Sequence, residues 1–181
     1  GFTQRRPQES RSLDALLTSL GMVALAEMGD KTQLLSFVLA ARFRGQHWLI
    51  IAGIFAATLL NHLLAALLGD RVATTVDPNV LGWVLGLSFL GFAVWATIPD
   101  RLDGEERNAD RYGAFATTLT LFFIAEMGDK TQLATVALGA KYAGFAVVSI
   151  GTTLGMMLAN VPAVLLGDKL CEHVPLSKMR F

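Results

Sequence analysis

The sequence predicts an all-α integral membrane protein in which a unit of three transmembrane helices occurs twice, the second copy inverted and the sixth helix missing from the chain. Three observations predict it. The stretch Ala26-Glu27-Met28-Gly29-Asp30-Lys31-Thr32-Gln33-Leu34 recurs unchanged as Ala125–Leu133, 99 positions later. Only 17% of the 181 residues are charged, against about 25% in a typical soluble domain, and the mean hydropathy is +0.50. Each copy of the motif lies inside an apolar stretch long enough to cross a hydrocarbon core of roughly 30 Å, which takes about 20 helical residues.

In chain order, residues 1–11 read as a polar tail. Residues 12–99 form the first repeat. Its first span runs from Ser12 to Arg42, with the motif near its middle, and Gly45 breaks the turn that follows. Its second span, Trp48–Leu68, is ended by Gly69-Asp70-Arg71, and Asp77-Pro78 marks the next start. Its third span, Val80–Ile98, carries Trp83 and Trp95 near its ends, where interfacial aromatics belong. Residues 100–111 set five acids against Arg101, Arg107 and Arg111 and read as a solvated linker. Residues 112–181 form the second repeat: a fourth span, Tyr112–Lys141, with the second motif, and a fifth, Gly144–Leu166, with Asn160 and Pro162 inside it. The third helix of this half is truncated, and a sixth span is expected beyond Phe181.

The duplication extends past the motif. Arg42-Phe43 answers Lys141-Tyr142, Gly45 answers Gly144 and Asn61 answers Asn160 at the same offset; Gly69-Asp70 answers Gly167-Asp168 after a one-residue slip. An odd number of spans per repeat makes the second copy enter from the opposite side, which relates the halves by a pseudo-two-fold axis in the membrane plane. That axis gathers Glu27, Asp30, Glu126 and Asp129 at mid-membrane. Arginine and lysine counts weakly favour a cytoplasmic central loop.

Each acid at that depth costs about 3 kcal/mol on insertion scales, so scaffold alone is a poor reason for four of them. Read as one continuous helix, Glu27, Asp30 and Gln33 share a face, and Lys31 pairs with Glu27 one turn back. Gly29 admits a second backbone or an ion, or lets the helix unwind. Four carboxylates with the oxygens of Gln33, Gln132, Asn61 and Asn160 make a hard site suited to Mg²⁺, Ca²⁺ or Mn²⁺. Lys31 and Lys130 compensate charge. Thr32 and Thr131 are open between ligand and cap for a broken helix. The alternative for Gln33, Gln132, Asn61 and Asn160 is hydrogen bonding between helices. Met28 and Met127 are open between soft ligands and packing, and Pro162 between a kink and a freed Leu158 carbonyl. His62, opposite Val161 in the repeat, reads as structural.

Two copies of Glu-x-Gly-Asp-Lys-Thr in a duplicated three-span unit resemble the MneA-type bacterial manganese exporter family, whose eukaryotic relatives are Golgi and chloroplast Mn²⁺/Ca²⁺ transporters. The resemblance covers Leu13 to Leu170. It implies export of Mn²⁺ or Ca²⁺ in exchange for protons across a bacterial inner membrane, with the acids of both motifs, Glu27, Asp30, Glu126 and Asp129, on the ion. No permanent cofactor is implied, only the transported ion, and the partners are the cations, protons and lipid.

Other classes fare less well. The formal net charge of +0 leaves no basic footprint for nucleic acid. The single Cys171 excludes a disulfide within the chain and a multi-cysteine metal site. An intramembrane aspartyl protease would carry Gly where both motifs carry Glu. A passive divalent channel shares the donor set, but the inverted duplication favours alternating access.

Overall fold

The computed structural model describes residues 8–95, 113–142 and 144–173. They form seven helices and no strand: α1 (Gln8–Glu27), α2 (Lys31–Arg42), α3 (His47–Thr75), α4 (Pro78–Trp95), α5 (Gly113–Glu126), α6 (Lys130–Tyr142) and α7 (Phe145–His173). Most of the expected N-terminal tail, the 100–111 linker, the end of the third span at Ile98, the indole of Trp95 and the truncated helix after α7 lie outside the described residues.

The two motif-bearing spans are each two helices, not one. α1 and α2 meet at 71° across the three residues between them, and α5 and α6 are separated in the same way. The break is written in the motif. Gly29 and Gly128 adopt φ of 79° and 74°, the left-handed conformation that ends helices and that other residues adopt at a cost. The next residue starts the second helix. Asp30 is extended, with φ −80° and ψ 167°, and its carboxylate accepts the Lys31 N–H at 2.8 Å, a helix N-cap. No atom lies within 4 Å of where a Cβ on either glycine would stand. Close approach is therefore not their purpose, and the unwinding is.

Gly69 and Gly167 do the reverse of what the sequence suggests. They do not stop their helices: α3 continues to Thr75 and α7 to His173. They are contact points instead. A Cβ on Gly69 would overlap the Val136 carbonyl oxygen of α6, and one on Gly167 would come 2.9 Å from the Ala40 Cβ of α2. Equivalent glycines thus let α6 pack on α3 backbone to backbone, and let the Ala40 and Phe37 side chains of α2 pack closely on α7.

The packing exchanges the halves. α1 lies on α7 as α5 lies on α3, α2 on α7 as α6 on α3, and α3 crosses α7. Swapping α1 with α5, α2 with α6 and α3 with α7 leaves this set of contacts unchanged. Leu35, Leu39, Ile50, Ile54, Phe122 and Val164 form the main buried apolar cluster, drawn from α2, α3, α5 and α7. α4 packs on α6 and turns Trp83, Leu87 and Leu90 outward, each more than half exposed, as an apolar helix against lipid does.

α3 and residues 145–167 of α7 are each long and apolar enough to cross a membrane, and the bent pair α1–α2 makes a third span by the same test. The apolar lengths of α4 and α5 are shorter. Among the described residues, length thus supports three of the five spans expected from sequence: breaking the fourth leaves α5 with 14 residues, and the end of the third lies outside the described residues.

Candidate metal centre

The two helix breaks face each other. Glu27 closes α1 and Glu126 closes α5; Asp30 and Asp129 precede α2 and α6. All four are buried, none more than 4% exposed. One carboxylate oxygen each from Glu27, Asp30 and Asp129 lies within 4.8 Å of the other two. Glu126 stands outside that trio but is wholly buried. The trio takes two acids from the first motif and one from the second.

Each lysine reaches across to the other motif. Lys31 Nζ is 3.1 Å from Asp129 Oδ1, and Lys130 Nζ is 3.3 Å from Asp30 Oδ1. This replaces the Lys31–Glu27 pair expected on a continuous helix. With the helix broken between them, residues 27 and 31 no longer stack one turn apart, and the capping geometry of Asp30 sends Lys31 away from α1. The same break removes the shared face expected for Glu27, Asp30 and Gln33.

The remaining motif residues hold the acids in place, in matching ways. Thr32 Oγ1 donates to Glu27 Oε2, and Thr131 Oγ1 donates to Glu126 Oε2 at 3.0 Å. The threonines therefore bind the glutamates, while the helix is capped by Asp30. Gln33 Oε1 accepts the Gly29 N–H at 3.0 Å and Gln132 Oε1 accepts the Gly128 N–H at 2.6 Å, so both glutamines tie down the left-handed glycine. Gln33 Nε2 also donates to the Ala159 carbonyl of α7 at 3.1 Å. Asn61 Nδ2 donates to the Phe123 carbonyl at 3.0 Å, and Asn160 Nδ2 to the Met156 carbonyl at 3.1 Å. These amides act between or along helices, the alternative left open for them. Met28 and Met127 are 71% and 59% exposed, directed away from the buried carboxylates.

Two features were not anticipated from the sequence. Ser36 Oγ lies 2.8 Å from Asn160 Oδ1 and 2.9 Å from the Thr32 carbonyl, linking α2 to α7 below the motif. Its repeat counterpart Thr135 bonds the Thr131 carbonyl at 2.7 Å. That matching pair of hydroxyls, 99 positions apart, was the available signal. The second feature is that Glu27 Oε1 and Glu126 Oε1 are buried with no hydrogen-bond partner among the described residues. A buried carboxylate oxygen left bare is costly, and a cation or a proton relieves the cost. His62 is also fully buried, with both ring nitrogens lacking a hydrogen-bond partner among the described residues.

Comparison with known proteins agrees with this chemistry. The family model described as "Divalent cation/proton antiporter GDT1" matches residues 15–104 and 114–181. A protein of Vibrio cholerae serotype O1 named "Putative manganese exporter" is 54% identical over 169 residues, covering 93% of this chain and 84% of that protein. A GDT1-like protein of Synechocystis is 27% identical, covering 86% of this chain and 84% of its own. "GDT1-like protein 5" of Arabidopsis thaliana is 24% identical, covering 90% and 86%. No solved structure matches.

Proposed function

We propose a transport reaction from one premise: this chain belongs to the GDT1 family of divalent cation/proton antiporters. The protein carries Mn²⁺ out of a bacterial cell across the inner membrane, in exchange for protons, through a site made from both motifs. The observation that supports this best is the convergence of Glu27, Asp30 and Asp129 oxygens within 4.8 Å in a buried position. The donors are hard, as Mn²⁺ requires. Glu27 Oε1 and Glu126 Oε1, which lack hydrogen-bond partners among the described residues, are the natural first ligands. Asp30 and Asp129 complete the set. The Gln33 and Gln132 side chains hold the two breaks, and Asn61 and Asn160 bond helix carbonyls nearby.

Charge balance fits a divalent ion. Four carboxylates against the ammoniums of Lys31 and Lys130 leave two negative charges when all are ionised. One Mn²⁺ neutralises them. A proton and a metal ion compete for the same carboxylate oxygens, which is the physical basis for exchange. In the transport cycle the halves rock about the pseudo-two-fold axis, with the second repeat inverted in the membrane, so that the shared site faces each side in turn.

A second reading, Ca²⁺/H⁺ exchange, draws support from the all-oxygen donor set and from the outward position of Met28 and Met127, which leaves no soft ligand in the cluster. An aspartyl protease dyad gains no support, because Asp30 and Asp129 each have an ammonium within 3.3 Å, which favours the ionised carboxylate over a shared proton.

The test is direct. The purified protein is titrated with Mn²⁺, Ca²⁺ and Mg²⁺ from pH 6 to pH 8 and reconstituted into liposomes carrying a pH gradient. Mn²⁺-preferring binding that weakens at low pH, with Mn²⁺ movement driven by the gradient, is expected. Movement indifferent to the gradient would replace exchange with a passive pathway.

A further inference from the structure

The crossed ion pairs carry more than charge balance. Lys31 Nζ lies 3.1 Å from Asp129 Oδ1, and Asp129 contributes an oxygen to the three-carboxylate cluster. An ammonium at that distance stands where a bound cation would draw the same carboxylate. We propose that Lys31 is a tethered stand-in for the transported ion: it neutralises Asp129 in the ion-free site, and an incoming divalent ion must displace it.

The geometry supports displacement of Lys31 in particular. Its side chain is 25% exposed, whereas that of Lys130 is 5% exposed. Moving Lys31 costs less desolvation and less packing, and a lysine stem is long enough to carry its charge toward water while its backbone stays fixed. Lys31 is also the first residue of α2, held at its N–H by the Asp30 carboxylate. The ammonium can therefore swing while the helix start does not move. Asp30 keeps its ion pair with Lys130 throughout, so the site does not lose both cations together. The device leaves the ion-free site with two net negative charges instead of three, and it gives the bound ion a competitor that helps it leave.

This proposal rests on the transport reading and separates from it experimentally. Mn²⁺ binding to the full chain is measured by calorimetry for the wild type and for Lys31→Gln. Without the tethered cation, the dissociation constant is expected to fall about tenfold or more, a modest effect for one unit charge removed a few ångström from the ion. Exchange in liposomes slows at the same time because release is hindered. A structural tie would give the opposite: weaker binding and a lower melting temperature.

A chemical rescue guards against a folding defect. In a Cys171→Ser background, Lys31→Cys is treated with aminoethyl methanethiosulfonate, which places an ammonium back at position 31, or with methyl methanethiosulfonate, which adds a neutral group. The aminoethyl protein is expected to return to the weaker wild-type affinity, and the methylthio protein to stay tight. Equal affinity after both treatments, or Lys31→Gln binding no tighter than wild type, overturns the proposal and leaves the transport reading standing. Absence of Mn²⁺ binding in the wild type overturns both.

Discussion

Gly69 and Val136 are in backbone contact: a methyl group added to Gly69 would occupy the space of the Val136 carbonyl oxygen. The obstacle is main chain, not the end of a flexible side chain, so it cannot rotate away. Gly69→Ala is therefore expected to push α3 from α6 and to destabilise by about 1–3 kcal/mol, as overpacking does. Gly82→Ala in α4, where no atom lies within 4 Å and φ is not positive, serves as the control and should melt at or slightly above the wild-type temperature. Thermal unfolding in detergent distinguishes them. Equal melting temperatures would mean that the helices do not touch at Gly69.

The glycines of the breaks make a different prediction. Around Gly29 and Gly128 there is space, so Gly29→Ala and Gly128→Ala are penalised through backbone conformation alone, by roughly 1–2 kcal/mol each. Asn tolerates the left-handed region better, so Gly29→Asn should fall between Ala and wild type. If Ala and Asn behave alike, the break is held by something other than φ. Circular dichroism melts of the three proteins provide the comparison.

The two glutamates are expected to be equivalent in transport. Each ends its helix, is fully buried and accepts a hydrogen bond from the threonine five residues on. Glu27→Gln and Glu126→Gln should each abolish Mn²⁺ exchange, at least a hundredfold, by removing a charge from the ligand set. The amide oxygen still accepts from Thr32 or Thr131, so folding should survive, as gel filtration and melting will report. Normal exchange by either variant would remove that glutamate from the site.

His62 should be dispensable and even unfavourable. A wholly buried ring with two nitrogens that lack hydrogen bonds among the described residues loses its water without recompense. His62→Leu is expected to raise stability by about 1 kcal/mol, the usual cost of an unsatisfied buried polar group, and to leave Mn²⁺ transport unchanged. A fall in transport at normal stability would give the ring a functional role.

Much of this was legible in the sequence, because duplication exposes itself. The repeated nine residues announced two acid pairs in apolar surroundings, and the structure brings Glu27 and Asp30 to Asp129. What was left open or misread is local. Glycine followed by aspartate inside an apolar run reads either as part of a continuous span or as a point of unwinding; the structure takes the second, with the two letters a left-handed helix end and an N-cap in succession. Gly69 and Gly167 were misread. Glycine beside aspartate resembles a helix stop, and nothing in one chain's letters shows that a second helix presses against that spot. The partner of Lys31 was hidden for the same reason: its nearest acids in sequence are Asp30 and Glu27, while the acid it meets is 98 positions away.

The exchange of helices between the halves has an evolutionary consequence. Each half supplies a long helix that the other half's bent pair needs as a platform, and each lysine finds its acid in the other half. A single copy folded alone would leave those platforms bare and those charges unmatched, whereas two identical copies would complement one another. The interlocking is what gene duplication and fusion of a symmetric dimer would leave behind. On that view the unchanged nine-residue motif marks the part of the ancestral interface where both descendants still had to do the same job, while the surroundings, with His62 facing Val161 across the repeat, were free to diverge.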